Sequence, residues 1–448
     1  MTNDMTKGNP LKLIISFSIP LFIGNLFQQL YSIIDTLIVG RTINVKALAA
    51  VGATGAIAFL IIGFVIGCAS GFSVVTAQFF GAGDYDGVRR SVASAIMLSA
   101  AFTVIVTLLS ALSAMPLLKL MDTPQDIIND AYSYIIIIYW GIFASVFYNL
   151  LASTIRALGD SRTPLIFLII ASILNIILDF ALILNFKMGV AGAAWATVIS
   201  QLVSGLLCLV YVSKKFPILR LKKSDWQFDI KIAKNQLKIG LPMAFQFSII
   251  AIGIIVLQSA LNSFGSTTVA AYTTAAKIEQ IATQVFPALG TAMATYSAQN
   301  YGAGKYDRIR QGVAKASLIS LVLSIIGGFI IFFFGGNIAE LFVGTNQPEV
   351  IEQANVYLHL ASSLFFILGM IFVFRNTLQG IGKSTMPFLA GILELFIRIA
   401  AALGLSKIFG YFGICLANPI AWVGAASFLM ISYLYMRKQG VFNSPQNH

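Results

Sequence analysis

Residues 165–184 read LIFLIIASILNIILDFALIL, an apolar run interrupted only by Ser172, Asn175 and Asp179. Its length matches the roughly 20 residues an α-helix needs to cross a hydrocarbon core about 30 Å thick. The apolar residues are continuous and do not alternate with polar ones, which excludes a membrane β-strand. Asn175 and Asp179 stand four apart, so on a helix they project from one face. A carboxylate at bilayer depth costs roughly 3 kcal/mol or more, and such residues are functional candidates by default.

Comparable runs fill the chain in both directions. The approximate spans are 12–40, 47–79, 91–118, 127–155, 163–186, 189–212, 236–263, 267–299, 313–343, 351–380, 387–408 and 411–436. With 448 residues, 58% hydrophobic, 10% charged and a mean hydropathy of +0.86, the chain has more apolar surface than a soluble fold could hide. The expected fold class is an all-α polytopic membrane protein of about twelve transmembrane helices. Most of the 29 basic residues fall in segments that lie on one side if both termini are cytoplasmic, which sets that orientation. The opening MTNDMTKGNPLKL lacks the apolar core and cleavage site of a signal peptide and reads as a cytoplasmic lead-in. Cys68, Cys208 and Cys415 lie far apart within apolar spans, which argues against a disulfide framework or a metal cluster. The net charge of +12 is explained by topology signals beside the spans, and no nucleic-acid partner is expected.

The chain contains an internal repeat. AQFFGAGDYDGVRR, Ala77 to Arg90, matches AQNYGAGKYDRIRQ, Ala298 to Gln311, at eight of fourteen positions. A second echo sets TIRALGDSRTPL, 154–165, against TLQGIGKSTMPF, 377–388, and a third pairs Pro20 with Pro242. Six spans separate equivalent segments, so both halves enter the membrane from the same side. Parallel repeats of this kind are a transporter architecture. The expected organisation is two pseudo-symmetric six-helix lobes, 1–213 with helices 1–6 and 236–448 with helices 7–12. They are joined by a basic cytoplasmic linker, 214–235, suited to anionic lipid headgroups.

Few polar groups lie inside the spans. The acids are Asp35, Asp179, Glu279 and Glu394; the bases are Lys277 and Arg398. Gln28, Tyr31 and Asp35 share a stripe of the first span, and Thr197 opens a polar stripe on the sixth. Two carboxylates, an amide and a hydroxyl from three helices suit a buried site for H⁺ or Na⁺. The competing reading is that each acid bonds a neighbouring hydroxyl as a structural link. Glu394 and Arg398 are four apart and read as a structural ion pair. Lys277 and Glu279, two apart, cannot face the same side, and with Gln28, Tyr31 and Gln258 they are candidate cavity residues. Pro20 removes a backbone hydrogen bond from the first span and favours a bend there. No zinc spacing, nucleophile elbow or Walker loop is visible.

Taken together, PLFIGNLFQQLYSIIDTLIVGR, the twice-used AQ-x-x-GAG-x-YD, RALGDSRTP and LNIILDFALI followed by GVAGAAWAT make the chain resemble the multidrug and toxic compound extrusion family, MATE, especially its bacterial drug-efflux members. The resemblance implies a V-shaped pair of six-helix lobes in the bacterial inner (plasma) membrane. It also implies cation-coupled antiport, by alternating access, of amphipathic, often cationic organic compounds by a monomer. Carried over to matching positions, the family's amino-lobe cation site is Asp35, Asn175, Asp179 and Thr197. This sequence departs from members that carry an essential acid in span seven or ten, offering Gln258 and Asn262 on span seven and His359 on span ten, so coupling through the first lobe alone is expected. Beyond H⁺ or Na⁺ as coupling ion, no cofactor and no metal are expected.

Two other readings compete. A lipid-linked saccharide flippase or polysaccharide exporter of the same superfamily would have a more basic cavity, whereas here intramembrane acids outnumber bases. A membrane-embedded enzyme would need a clustered catalytic constellation near an interface, and none is visible.

Overall fold

The computed structural model of the chain describes residues 4–441. Among these residues there is no β-strand, and the α-helices follow in order as α1 (Pro10–Thr42), α2 (Val45–Ala82), α3 (Tyr85–Leu120), α4 (Ile128–Trp140), α5 (Ile142–Ala157), α6 (Arg162–Phe180), α7 (Gly189–Lys215) and α8 (Ile230–Asn262). The second half supplies α9 (Ser266–Thr283), α10 (Val285–Gly302), α11 (Tyr306–Val343), α12 (Pro348–Ser363), α13 (Phe365–Gly380), α14 (Thr385–Phe409), α15 (Tyr411–Cys415) and α16 (Ala417–Lys438). Long apolar side chains stand outward along these helices. On α11, Ile325, Phe329 and Phe333 are each more than half exposed, a surface that only lipid accommodates at this extent.

Among the described residues, nine helical segments are long and apolar enough to span a membrane. Two further spans are bent pairs, α4 with α5 at 46° and α12 with α13 at 50°. The remaining predicted span, 267–299, forms α9 and α10, which meet at Gln284. The threonines, Lys277, Glu279 and Gln280 of α9 lower its apolar content below that of the others, and α9 packs against α12 and α11 while α10 packs against α13.

The repeat is legible in the helix boundaries. Helices α5 and α13 are each 16 residues long, and both their starts and those of α6 and α14 are 223 residues apart. The helix breaks at Gly141 and Leu364 fall at the same spacing. Gly189 and Gly410, which open the equivalent later helices, both take φ of +58°.

The chain divides into two compact units, and their limits differ from the lobes expected at 1–213 and 236–448. Among the described residues, one unit comprises residue 4 and residues 23–248; the other comprises 5–22 and 249–441. Packing explains the shift in the first unit. The early part of α8 lies against α2 at Gly67 and Gly71. A Cβ at Gly67 would sit 2.5 Å from the Ala244 Cα, and one at Gly71 would overlap Gly240. The expected linker 214–235 is likewise part of this unit. Its first residues end α7, its last begin α8, and Phe216 and Leu219 between them are buried against Val88, Leu158 and Cys208. In the second unit, Met5, Ile14 and Phe17 join a core containing Leu257, Tyr272, Tyr296 and Phe365.

The twice-used GAG loop accounts for both assignments. In each copy the last glycine, Gly83 or Gly304, takes a left-handed conformation that ends its helix, at φ of 74° and 68°. The Asp and Arg of the motif pair with each other, Asp86 with Arg89 and Asp307 with Arg310. In the first unit Arg89 also pairs with buried Asp225 at 3.1 Å, and Arg90 with Asp229 at 3.5 Å, holding the segment that leads into α8. In the second unit the corresponding loop holds the segment that leads into α1. Gln299 Oε1 accepts from Met5 N at 2.9 Å, Lys305 donates to Thr6 O at 2.8 Å, and Arg308 donates to Gly8 O at 2.9 Å. Each copy of the motif thus grips the lead-in to the other half's first helix.

Candidate functional site

Within the first unit, the sequence-predicted set comes together from α1, α6 and α7. Asp35 is 8% exposed, Asn175 1% and Asp179 0%. The Asp35 and Asp179 carboxyls lie within hydrogen-bonding reach of one another. With its amide turned so that both ends are satisfied, Asn175 donates to Asp179 Oδ2 at 2.9 Å and accepts from Thr197 N at 3.1 Å. Thr197 Oγ1 donates to Ala193 O at 3.1 Å and accepts from Tyr31 Oη at 3.3 Å. Tyr31 and Asp35, four apart on α1, therefore face the same cluster.

Two oxygens in this cluster, Asp35 Oδ1 and Asp179 Oδ1, are buried and accept no hydrogen bond. Among the described residues neither acid forms an ion pair. Two carboxylates so close and so far from water repel unless a proton or cation lies between them. The donors offered are all oxygens, suited to H⁺ or a hard monovalent ion. Among the described residues no group of three or more His, Cys, Asp or Glu side chains could hold a metal.

The backbone marks the same place. Directly after Asp179, the α-helix gives way to a turn of π-helix over Ala181–Asn185. Such turns occur frequently at functional positions. Gly192 of α7 lies close against Leu182 and Ile183 of this turn.

One member of the cluster does not emerge from the sequence. Tyr134 of α4 lies within electrostatic reach of Asp35, Asp179 and Tyr31, and packs against the group formed by Ile38, Val39, Ile183 and Ala193. In AYSYIIIIYW nothing distinguishes Tyr134 from Tyr132. The signal lies in the repeat, since the equivalent position, 223 residues on, is also a tyrosine, Tyr357.

The remaining predicted residues lie elsewhere. Gln28 is exposed. Helix α1 runs unbroken through Pro20, and its residues divide between the two compact units just beyond it, after Phe22. In the second unit Gln258 donates to Asn262 at 3.0 Å. Lys277 lines an open cleft of about 590 Å³ with Asn262, Ser266, Thr273, Thr274 and Phe342. Glu279 turns the other way and accepts from Tyr357 Oη at 2.5 Å. Arg398 donates to Glu394 at 2.6 Å, and the expected pair has a third member, Arg375 of α13, which donates to Glu394 at 3.0 Å. In the sequence Arg375 reads as one of the cytoplasmic-side flanking charges.

Comparison with known proteins agrees with this architecture. The MatE family model matches residues 20–181 and again 242–403, once in each half and beginning at the paired prolines. The chain is 28% identical to the probable multidrug resistance protein YpnP of Bacillus subtilis, covering 97% of both chains. It is 26% identical to an FAD transporter of Shewanella oneidensis over 91% of each. It superposes on an outward-facing multidrug resistance MATE transporter of the MOP superfamily with a TM-score of 0.90, at 23% identity over 99% of this chain and 98% of that one. The chain is a membrane transporter and not an enzyme, and it belongs to the MatE family.

Proposed function

We propose that this transporter exports amphipathic, often cationic organic compounds in exchange for H⁺ or Na⁺, and that the coupling ion binds Asp35, Asn175, Asp179 and Thr197. The observation that carries the reading is the pair of facing acids with two unpartnered buried oxygens and no basic partner. A cluster with uncompensated negative charge favours whichever conformation lets a cation reach it. A ligand shifts a conformational equilibrium only through its different affinity for the two states, and burial of these acids in one state and not the other supplies that difference. Transport by alternating access then needs no contact between cation and substrate. The chain works in this reading as a monomer in the bacterial plasma membrane with both termini cytoplasmic, its basic segment 214–238 against anionic lipid headgroups.

The test is gradient-driven movement of a cationic dye in liposomes holding the purified protein, under a proton gradient and then a sodium gradient. Wild type moves dye under at least one gradient, and Asp35→Asn and Asp179→Asn abolish it while leaving the protein folded. Dye movement that survives both substitutions would remove these acids from the coupling mechanism. Movement under neither gradient would point to a different exported compound.

A further inference from the structure

The repeat allows each member of the first-unit cluster to be matched with its counterpart in the second unit, and the chemistry at the counterparts is inverted. The shared spacing of α5 with α13 and of α6 with α14 sets Asn175 against Arg398, Asp179 against Ala402 and Tyr134 against Tyr357. The left-handed glycines Gly189 and Gly410 set Thr197 against Asn418, and the paired prolines set Tyr31 against Gly253 and Asp35 against Leu257. Both acids of the first unit are therefore replaced by apolar residues, Leu257 and Ala402, which are 5% and 0% exposed. The amide is replaced by a guanidinium.

The polar members of this second constellation are in contact. Asn418 donates to the hydroxyls of Tyr357 and Tyr272, each at 3.0 Å, and the two tyrosine rings lie 4.7 Å apart. Tyr357 donates to Glu279, and Glu279 lies within electrostatic reach of Arg398. The Arg398 side chain is 11% exposed, donates to Glu394, and reaches the backbone of α8 at Gly253, where a Cβ would overlap its guanidinium. The absence of a side chain at the counterpart of Tyr31 is thus what admits the arginine. Arg375 is also on Glu394, so both guanidiniums pair with Glu394 directly and Glu279 has Arg398 within electrostatic reach, two bases beside two acids. In the first unit two acids face no base.

We propose that Arg398 is a built-in cation: its guanidinium stands where the first unit binds its coupling ion, so the second unit is permanently in the cation-satisfied condition and the coupling ion acts on the first unit alone. This rests on the reading of Asp35 and Asp179 as the coupling site. Arg398 is a positioning residue in this account, pairing with Glu394, placing its charge within electrostatic reach of Glu279, and holding α8 against α14 through a charge that cannot dissociate. A guanidinium suits the task because it stays protonated at any working pH and presents several donors in a fixed plane. The charged and titratable groups facing Glu279 from the elements around it are Tyr272, Tyr357 and Arg398, with Glu394, Arg375, Tyr411 and Cys415 behind them.

The experiment uses full-length protein carrying Asp35→Asn and Asp179→Asn, which silences the first-unit site. Melting temperature is followed in sodium against choline at matched ionic strength, and from mildly acidic to mildly alkaline pH, with and without Glu279→Gln. With Arg398 intact, the sodium and pH profiles have the same shape whether or not Glu279→Gln is present. Adding Arg398→Asn, which restores the first-unit chemistry at this position, makes the protein that retains Glu279 gain several degrees from sodium or acid, a gain that Glu279→Gln removes. Arg398→Lys, which keeps a charge, shows no such gain. If the profiles already diverge with Arg398 intact, the second unit takes a cation from solution and the proposal falls. If they diverge in no variant, Glu279 takes no cation with or without the arginine, and the proposal falls equally. Either result leaves the first-unit reading to the dye assay in otherwise wild-type protein.

Discussion

At the scale of the residue, the first-unit cluster owes its order to hydrogen bonds that are individually modest. Tyr31 holds the Thr197 hydroxyl at 3.3 Å, and Thr197 in turn donates through its backbone to the amide that bonds Asp179. Removing the phenol hydroxyl in Tyr31→Phe takes away one neutral hydrogen bond, worth about 0.5–1.5 kcal/mol. The expected result is a rise of about two- to tenfold in the driving-ion concentration that half-saturates transport. The maximal dye rate and the melting temperature stay near wild type, and concentration dependence in liposomes reads the difference. A larger loss, comparable with Asp35→Asn, would mean that Tyr31 itself contacts the ion. Tyr134→Phe, beside the same acids, is expected to fall in the same range by the same measurement.

At the scale of the element, helix contacts depend on where side chains are missing. Gly71 of α2 leaves room for Gly240 of α8, and Gly67 for Ala244. Small residues at such crossings let helix backbones approach within a membrane, where packing replaces the hydrophobic effect as the driving force. Gly71→Leu forces the two helices apart, and overpacking of this kind costs roughly 1–3 kcal/mol or more. Its melting temperature is expected to drop by several degrees. Gly52, on the same helix, has no atom within 4 Å of an added Cβ. Gly52→Ala is expected to leave the melting temperature unchanged or slightly raised, since alanine is favoured over glycine in a helix by about 0.5–1 kcal/mol. Equal losses in the two variants would show that α2 tolerates no change at all and would remove the significance of the α2–α8 contact.

At the scale of the whole molecule, the two GAG loops tie each half's lead-in to the opposite compact unit. Arg308 bonds two carbonyls of residues 5–8 and Asn300 Oδ1 at 3.0 Å, so Arg308→Ala removes several charge-assisted bonds at once. A loss of about 2–4 kcal/mol in unfolding stability is expected. Arg90→Ala breaks only a half-exposed pair at 3.5 Å and is expected to cost less than about 1 kcal/mol. Thermal denaturation in detergent compares the two, and similar losses would mean that the grip on the lead-in adds nothing beyond surface charge.

The amino-acid sequence determined, by itself, that the chain is helical and lies in a membrane, because continuous apolar runs and helix length are local properties. It also determined the duplication, because the GAG motif and the paired prolines are written twice. It grouped Asp35, Asn175, Asp179 and Thr197, because an acid at bilayer depth is conspicuous wherever it occurs and helical spacing places the amide and the hydroxyl on polar faces. Only the tertiary structure decided that Tyr134 joins those acids, that Arg375 makes a third partner of an expected pair, and that Glu279 turns to Tyr357 while Lys277 faces a cleft. It alone decided that residues 5–22 belong with the second half's unit and that the linker 214–235 and residues 236–248 belong with the first half's. These are matters of contact between residues tens to hundreds of positions apart, set by which helices pack and where glycine leaves space for them to do so. Periodicity and composition are read within one helix and carry no information about its neighbours.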